Sequence, residues 1–199
     1  IDNDIYGTRY TLGFDTALNT AIEDIDKIRD TASSHRRLFF VEVMGRDVGH
    51  IALHSGLGAG AEEILIPEEE FGLERLLKSL KRSKARGKTS SIVVVAEGDK
   101  TKGKNVYELK EYVEKNLPIY DVRVCVLGHM QRGGAPSCFD RVLASRMGVK
   151  AVESLVEGKT NFMTGIIDNQ ITLTPISEAI KGKTKIDKEL IRISDIMTT

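Results

Sequence analysis

The first residues of the chain already hold groups that can move a proton. Ile1-Asp2-Asn3-Asp4 packs two carboxylates and an amide into neighbouring positions. In an extended segment Asp2 and Asp4 share a face. Such a pair suits a general base beside a metal-bound phosphate, because one carboxylate can accept a proton while the other helps hold Mg²⁺. An isolated Asp-x-Asp is more often a polar turn, so the pair needs support from elsewhere in the chain.

That support comes from arginine. Arg29, Arg36, Arg37, Arg46, Arg123 and Arg132 are candidate anion binders. A guanidinium binds phosphate bidentately and keeps its charge. Lys78, Lys81, Arg82, Lys84, Arg86 and Lys88 form a basic run with no acid inside it. Lys78 to Lys84 reads as a solvated helix end, whereas Arg86-Gly87-Lys88 lies in the turn before a strand and is the better ligand candidate. His50 and His54 have the i, i+4 spacing of a metal pair, but no Glu follows the first and no third ligand is evident. They are expected on a helix surface. Cys125 alternates within a strand and is expected in the core. Asp99-Lys100-Thr101-Lys102-Gly103-Lys104 reads as an exposed turn. Neither G-x-x-x-x-G-K-[ST] nor G-x-G-x-x-G is present.

The elements that must position these groups alternate. Apolar spacing predicts helices over 11–28, 48–57, 68–84, 106–117 and 139–155, and helical turns over 174–180 and 188–196. The acids Glu68, Glu69 and Glu70 are expected in the first turn of the third helix, where they would complement its dipole. β-Branched and apolar runs predict strands over 38–44, 64–66, 91–96, 122–127 and 163–167. Alternation of this kind points to an α/β sheet of parallel or mixed order. Ligands of such sheets sit at the carboxyl ends of the strands. There the chain places Met44-Gly45-Arg46, Glu97-Gly98 and Gly128-His129-Met130-Gln131-Arg132-Gly133-Gly134. Arg and His delivered from several strand ends, beside paired glycines, predict a shared anion site.

Composition narrows the partners. The chain has 199 residues, 29 basic and 29 acidic, for a formal net charge of +0. No basic excess points to nucleic acid or an anionic membrane. At 41% hydrophobic and 29% charged it is globular. No apolar run approaches the roughly 20 residues of a membrane span. Two cysteines build no disulfide framework, so the cytoplasm is expected. The chain does not start with Met and carries no leader-like run, so it is expected to be processed or part of a longer protein.

Taken together, Ile-Asp-Asn-Asp (1–4), Ser-Ser-His-Arg-Arg (33–37), Val-Glu-Val-Met-Gly-Arg (41–46), Leu-Gly-His-Met-Gln-Arg-Gly-Gly (127–134) and Ala-Ser-Arg-Met-Gly (144–148) resemble the bacterial ATP-dependent 6-phosphofructokinases. The resemblance runs the length of the chain and corresponds to about the C-terminal three-fifths of a family member. It implies an α/β three-layer sandwich, with helices on both faces of a mostly parallel sheet. It also implies Mg²⁺-dependent transfer of the ATP γ-phosphoryl group to the 1-hydroxyl of fructose 6-phosphate. Under it Asp2 matches the catalytic base, Asp4 the second acid near the metal, and Arg46 a group on the migrating phosphoryl. Ile1, Asp2, Met44, Gly45, Arg46, Glu97, His129, Met130, Gln131 and Arg132 match the sugar-phosphate site. Arg37 and Arg123 match arginines that reach a neighbouring subunit's site, which implies a homotetramer.

The resemblance further implies an effector site for ADP or phosphoenolpyruvate, matched by Arg29, Gly60, Ala61, Glu62, Arg86, Lys88, Thr89 and Ser90. Thr89 and Ser90 replace basic or imidazole side chains often found in relatives, which weakens the anionic site. It assigns 1–13 and 131–180 to a remnant of the ATP-binding lobe, and 14–130 and 181–199 to the sugar-phosphate lobe. The glycine-rich ATP loop of the family has no counterpart here, so these 199 residues alone are expected to be inactive. Two other readings stay open: a pyrophosphate-dependent phosphofructokinase, and a non-catalytic module for sugar-phosphate binding and assembly.

Overall fold

The computed structural model describes residues 1–32, 37–70, 72–87, 91–99 and 104–198. Four parallel strands, β1 (Arg37–Val43), β2 (Glu63–Leu65), β3 (Ser91–Ala96) and β4 (Asp121–Val126), form one sheet in the order β2-β3-β1-β4. Register pairs Val43 with Ala96 and Glu42 with Val126, so the carboxyl ends of β1, β3 and β4 lie side by side. Parallel strands covered on both faces read as continuous apolar runs. All six residues of β3 are buried accordingly.

Two cores flank the sheet. On one face Phe39, Val41, Val43, Ile92 and Val94 pack against α1 (Phe14–Ala32) and α2 (His50–Gly58), through Phe14, Ala17, Ala21, Ile25, Ile51 and Ala52. On the other, Leu38, Phe40, Val93, Val95 and Val122 meet α3 (Leu73–Ala85) and α4 (Val106–Asn116), through Leu76, Leu80, Leu109 and Val113. The period-two alternation along β1 feeds both cores, which makes the three-layer sandwich. Asn105 begins α4 with a complete capping box, its side chain accepting from Tyr107 and Glu108 N–H while Glu108 accepts from Asn105 N–H.

A third, smaller core of Leu143, Met147 and Ile166 joins α5 (Cys138–Val156) to an antiparallel hairpin of β5 (Phe162–Ile167) and β6 (Gln170–Pro175). A helical turn, α6 (Ile176–Ala179), and the last helix, α7 (Lys188–Thr198), complete the chain.

Three expectations change. Residues 174–180 are not helical throughout, because 170–175 pair with β5 and only Ile176–Ala179 turns. Asp168 and Asn169, both at positive φ (48° and 61°), make the tight turn between the two strands, as the primed hairpin turns require. Helix α3 starts at Leu73 after Gly72, so Glu68 to Glu70 precede it; Glu74 is the first-turn acid, and Glu68 accepts the Gly49 N–H instead. Finally, α1 starts at Phe14, because Gly13 sits at φ +87°.

Candidate functional site

The loops after β1, β3 and β4 are joined by two side chains. Glu97, just past β3, accepts the N–H of Arg46 at 2.7 Å and of Gly45 at 3.3 Å through one oxygen, Oε1. Gln131, in the 3-10 turn Gly128–Arg132, accepts Met44 N–H at 3.4 Å and donates to Gly128 O at 3.1 Å. Met44-Gly45-Arg46 is therefore held from both sides. Arg46 has φ +55°, and Gly45 has φ +148°. A Cβ at Gly45 would stand 2.5 Å from Val48 O, so the turn requires glycine. Gly98 is required too, because a Cβ there would lie 2.0 Å from Arg46 O.

The side chains of Arg46, Glu97, His129, Met130 and Arg132 are exposed around this edge. Gln131 differs: it is 1% exposed and its polar groups are used inside the loop. Burial, with Glu97 beside it, raises the Glu42 carboxyl above its ordinary range.

Ile1 reaches this edge from the other direction. It packs on the α1 face of the sheet and lines a cavity of about 290 Å³ with Gln131, Arg132, Gly133 and Gly134. The acidic segment is fixed by Asn3, not by its carboxylates. Asn3, at φ +60°, donates from Nδ2 to Arg9 O at 3.1 Å and accepts Thr11 N–H at 2.8 Å. Asp2 and Asp4 flank it, half-buried; because Asn3 is left-handed the segment is not extended, and the geometry expected to put both carboxylates on one face is not formed. Asp2 Oδ1 is buried and has no hydrogen-bond partner among the described residues. Behind Asn3 lies a larger cavity of about 450 Å³, lined by Tyr6, Tyr10, His50, His54, Leu173 and others. His50 and His54 are thus not on an open helix surface. His50 is 6% exposed, and burial first, then His54, pushes its pKa down to about 4. Burial also lowers His54, whose Nδ1–H donates to His50 O at 2.8 Å. Among the described residues no cluster of three or more His, Cys, Asp or Glu could hold a metal ion.

Other sites expected from the sequence lie elsewhere. Arg37 and Arg123 belong to the amino-terminal half of β1 and β4, away from the strand-end loops, and share Asp121 at 3.5 and 3.0 Å. Arg29 donates to Ala59 O, beside Gly60 at φ +65° and the buried Ala61 and Glu62. Glu62 accepts the N–H of Ile92, near the start of β3, so this group too lies toward the opposite edge. Arg86 caps the end of α3. Lys88, Thr89, Ser90 and Arg36 lie outside the described residues. Cys125 is only partly buried against the α1-side core. Sequence reasoning misses the inward turn of Gln131 and the Asp140 carboxylate, which accepts the N–H groups of Gly13 and Thr16 at 2.8 Å each. A polar residue between Met130 and Arg132 gives no outward signal of which way it faces.

Comparison with known proteins fits this geometry. The phosphofructokinase family model matches residues 1–155. The chain is 50% identical over 198 residues to an ATP-dependent 6-phosphofructokinase of Listeria monocytogenes serotype 4b, covering 100% of this chain and 60% of that one. It is 51% identical over 197 residues to ATP-dependent 6-phosphofructokinase 1 of Thermus thermophilus, covering 99% and 60%. The chain thus spans about 60% of the length of these relatives. A phosphofructokinase structure from Saccharomyces cerevisiae superposes with TM-score 0.83 at 35% identity, over 90% of this chain and 25% of that one. A pyrophosphate-dependent phosphofructokinase from Marinobacter aquaeolei superposes with TM-score 0.77 at 27% identity, over 94% and 52%. The match to the family model over most of the chain, on a sheet whose strand ends carry Arg46, Glu97, His129 and Arg132, shows that this chain belongs to the phosphofructokinase family.

Proposed function

We propose that the complete protein carrying this chain transfers the γ-phosphoryl group of ATP to the 1-hydroxyl of fructose 6-phosphate. The observation that carries this reading is the convergence of Arg46, Glu97, His129 and Arg132 on one edge of the sheet, where two side-chain clamps hold the loop of Arg46. Arg132 and His129 bind the 6-phosphate and the sugar. Glu97 spends Oε1 on the Arg46 loop and keeps Oε2 for a sugar hydroxyl. Asp2 takes the proton of the 1-hydroxyl as the hydroxyl oxygen bonds to the γ-phosphorus and the bond from that phosphorus to the bridging oxygen breaks, releasing ADP, while Arg46 neutralises charge on the moving phosphoryl group. Met44 and Gly45 shape the sugar side of the loop, and Gln131 serves by holding it.

A single half-buried carboxylate, that of Asp4, fits a hard cation that takes few protein ligands and completes its shell with phosphate oxygens and water. Asp4 would hold that Mg²⁺. When bound, the ion neutralises phosphate charge. Arg37 and Arg123 are assigned to a neighbouring subunit of a homotetramer. The group at Arg29, Gly60, Ala61, Glu62, Arg86 and Lys88 is assigned to an effector such as ADP or phosphoenolpyruvate. The separate small core of α5, β5 and β6 supports giving 1–13 and 131–180 to the donor lobe, and the main sheet supports giving 14–130 and 181–199 to the sugar lobe. The cytoplasm is the compartment that fits this chemistry, and no helix among the described residues is long and apolar enough to cross a membrane.

The test is a two-donor assay of the complete protein. Fructose 1,6-bisphosphate formed from ATP, fructose 6-phosphate and Mg²⁺ is expected. Product with pyrophosphate alone would favour the second donor, to which the likeness to the Marinobacter enzyme also points. No product with either donor would refute the reading.

A further inference from the structure

The N-termini of α1 and α5 cap one another. Every helix start leaves several N–H groups without an intrahelical partner. In an ordinary capping box the third residue of a helix reaches back to its own N-cap N–H. Ser137 is the N-cap of α5, and Asp140 is that third residue, bonded through its N–H to Ser137 Oγ at 3.2 Å. The carboxylate of Asp140 does not return to Ser137. It crosses to α1, accepting Gly13 N–H at 2.8 Å and Thr16 N–H at 2.8 Å, together with the Thr16 hydroxyl. The Ser137 N–H crosses the other way, to Thr16 Oγ1 at 3.0 Å. Asp140 is 4% exposed, and its charge lies at the positive ends of two helix dipoles.

This crossed cap joins the two stretches that carry the proposed chemistry. The segment with Asp2 and Asp4 leads into α1. The loop with His129 and Arg132 leads into α5 through Gly133 and Gly134, the latter at φ +88°. Paired glycines give that loop little stiffness of its own. Ile1, Gly13, Thr16, Arg132, Gly134 and Asp140 line the same cavity of about 290 Å³. Tyr10 and Phe139 add an edge-to-face contact at 5.2 Å on the same joint.

We propose that Asp140 is a positioning residue, which sets the spacing between the proton acceptor Asp2 and the phosphate anchor Arg132 through the crossed cap. The inference rests on the function proposed above. An asparagine at 140 would turn an N–H₂ toward one of the Gly13 and Thr16 donors and release that side of the joint. Misplacement of reacting groups by about 1 Å costs on the order of 10²-fold in rate.

The experiment compares wild type, Asp140→Asn, Thr16→Val and Thr16→Ser in the complete protein, assayed well below each variant's melting temperature. Asp140→Asn is expected to lower kcat/KM for fructose 6-phosphate by about 10²-fold. Thr16→Val, which loses the hydroxyl but keeps the N–H, should lower it less, and Thr16→Ser should restore it. If Asp140→Asn does not fold, the Thr16 pair decides. Variants that melt earlier yet keep wild-type kcat and KM would show a merely structural cap and overturn the proposal. A wild-type protein that transfers no phosphoryl group to fructose 6-phosphate would instead overturn the reading on which it rests.

Discussion

Gly98→Ala should damage the site without touching any side chain in it. The new methyl carbon would stand 2.0 Å from Arg46 O, 3.1 Å from Arg46 C and 3.2 Å from Asp47 Cα, all backbone atoms. Ordinary contact begins at 3.4 Å, so the Arg46 peptide must retreat by about 1.4 Å. It has little room to do so. Arg46 is already held at φ +55°, and Gly45 is packed against Val48 O. Retreat would also stretch the 2.7 Å bond from Arg46 N–H to Glu97. Overpacking of this kind costs about 1–3 kcal/mol of stability. The displacement should cost on the order of 10²-fold in kcat/KM, which equals about 2.7 kcal/mol of transition-state binding. The assay is a coupled measurement of fructose 1,6-bisphosphate on the complete protein, with thermal melting in parallel. Gly148→Ala is the control, because a Cβ there meets nothing within 4 Å and the residue is in mid-helix; it should be neutral or slightly stabilising. Wild-type kcat/KM and melting temperature in Gly98→Ala would refute the argument that this close approach holds Arg46 in place.

Arg132→Ala should raise the KM for fructose 6-phosphate by roughly 10- to 100-fold, since hydrogen bonds to charged groups contribute about 1.5–3 kcal/mol; an unchanged KM would remove Arg132 from the phosphate site. His50 should make the fold acid-sensitive. The unfolded chain takes up that proton near pH 6.5, whereas the folded one resists to about 4, so stability is full above 6.5 and falls as the pH drops toward 4. The gap corresponds to about 3 kcal/mol at most, and urea unfolding of His50→Asn across that range should show a shallower decline. Asn105→Ala should lower stability by about 1 kcal/mol without changing KM, because it removes only the cap of α4.

Much of the sheet is legible in the sequence because its strands are buried on both faces. Runs such as Ile92 to Ala96 have no polar residue to obscure them. The strand-end rule then suffices to single out Arg46, Glu97, His129 and Arg132 from residue order alone. How these loops are held is another matter. The Glu97 carboxylate bonds to Gly45 and Arg46, and nothing in the order of residues marks a contact 51 positions away. Asp140 bonds residues 124 and 127 positions away and looks from sequence like an ordinary first-turn acid of α5. Strand β6 has a local sign in Asp168-Asn169, but the helix-compatible spacing of 174–180 competes with it. The surroundings of His50, which meets Thr184 at 3.4 Å, and of half-buried His54, edge-on to Phe14, are tertiary effects that helical spacing alone does not reveal.

The central claim is that Asp2 accepts the proton of the sugar hydroxyl. The measurement that tests it most directly is steady-state kinetics of Asp2→Ser in the complete protein, with fructose 6-phosphate varied at saturating ATP and Mg²⁺. The account predicts a loss in kcat of at least about 10²–10⁴-fold, the usual worth of a positioned proton acceptor, with the sugar KM near wild type. Turnover at the wild-type rate in Asp2→Ser would contradict it.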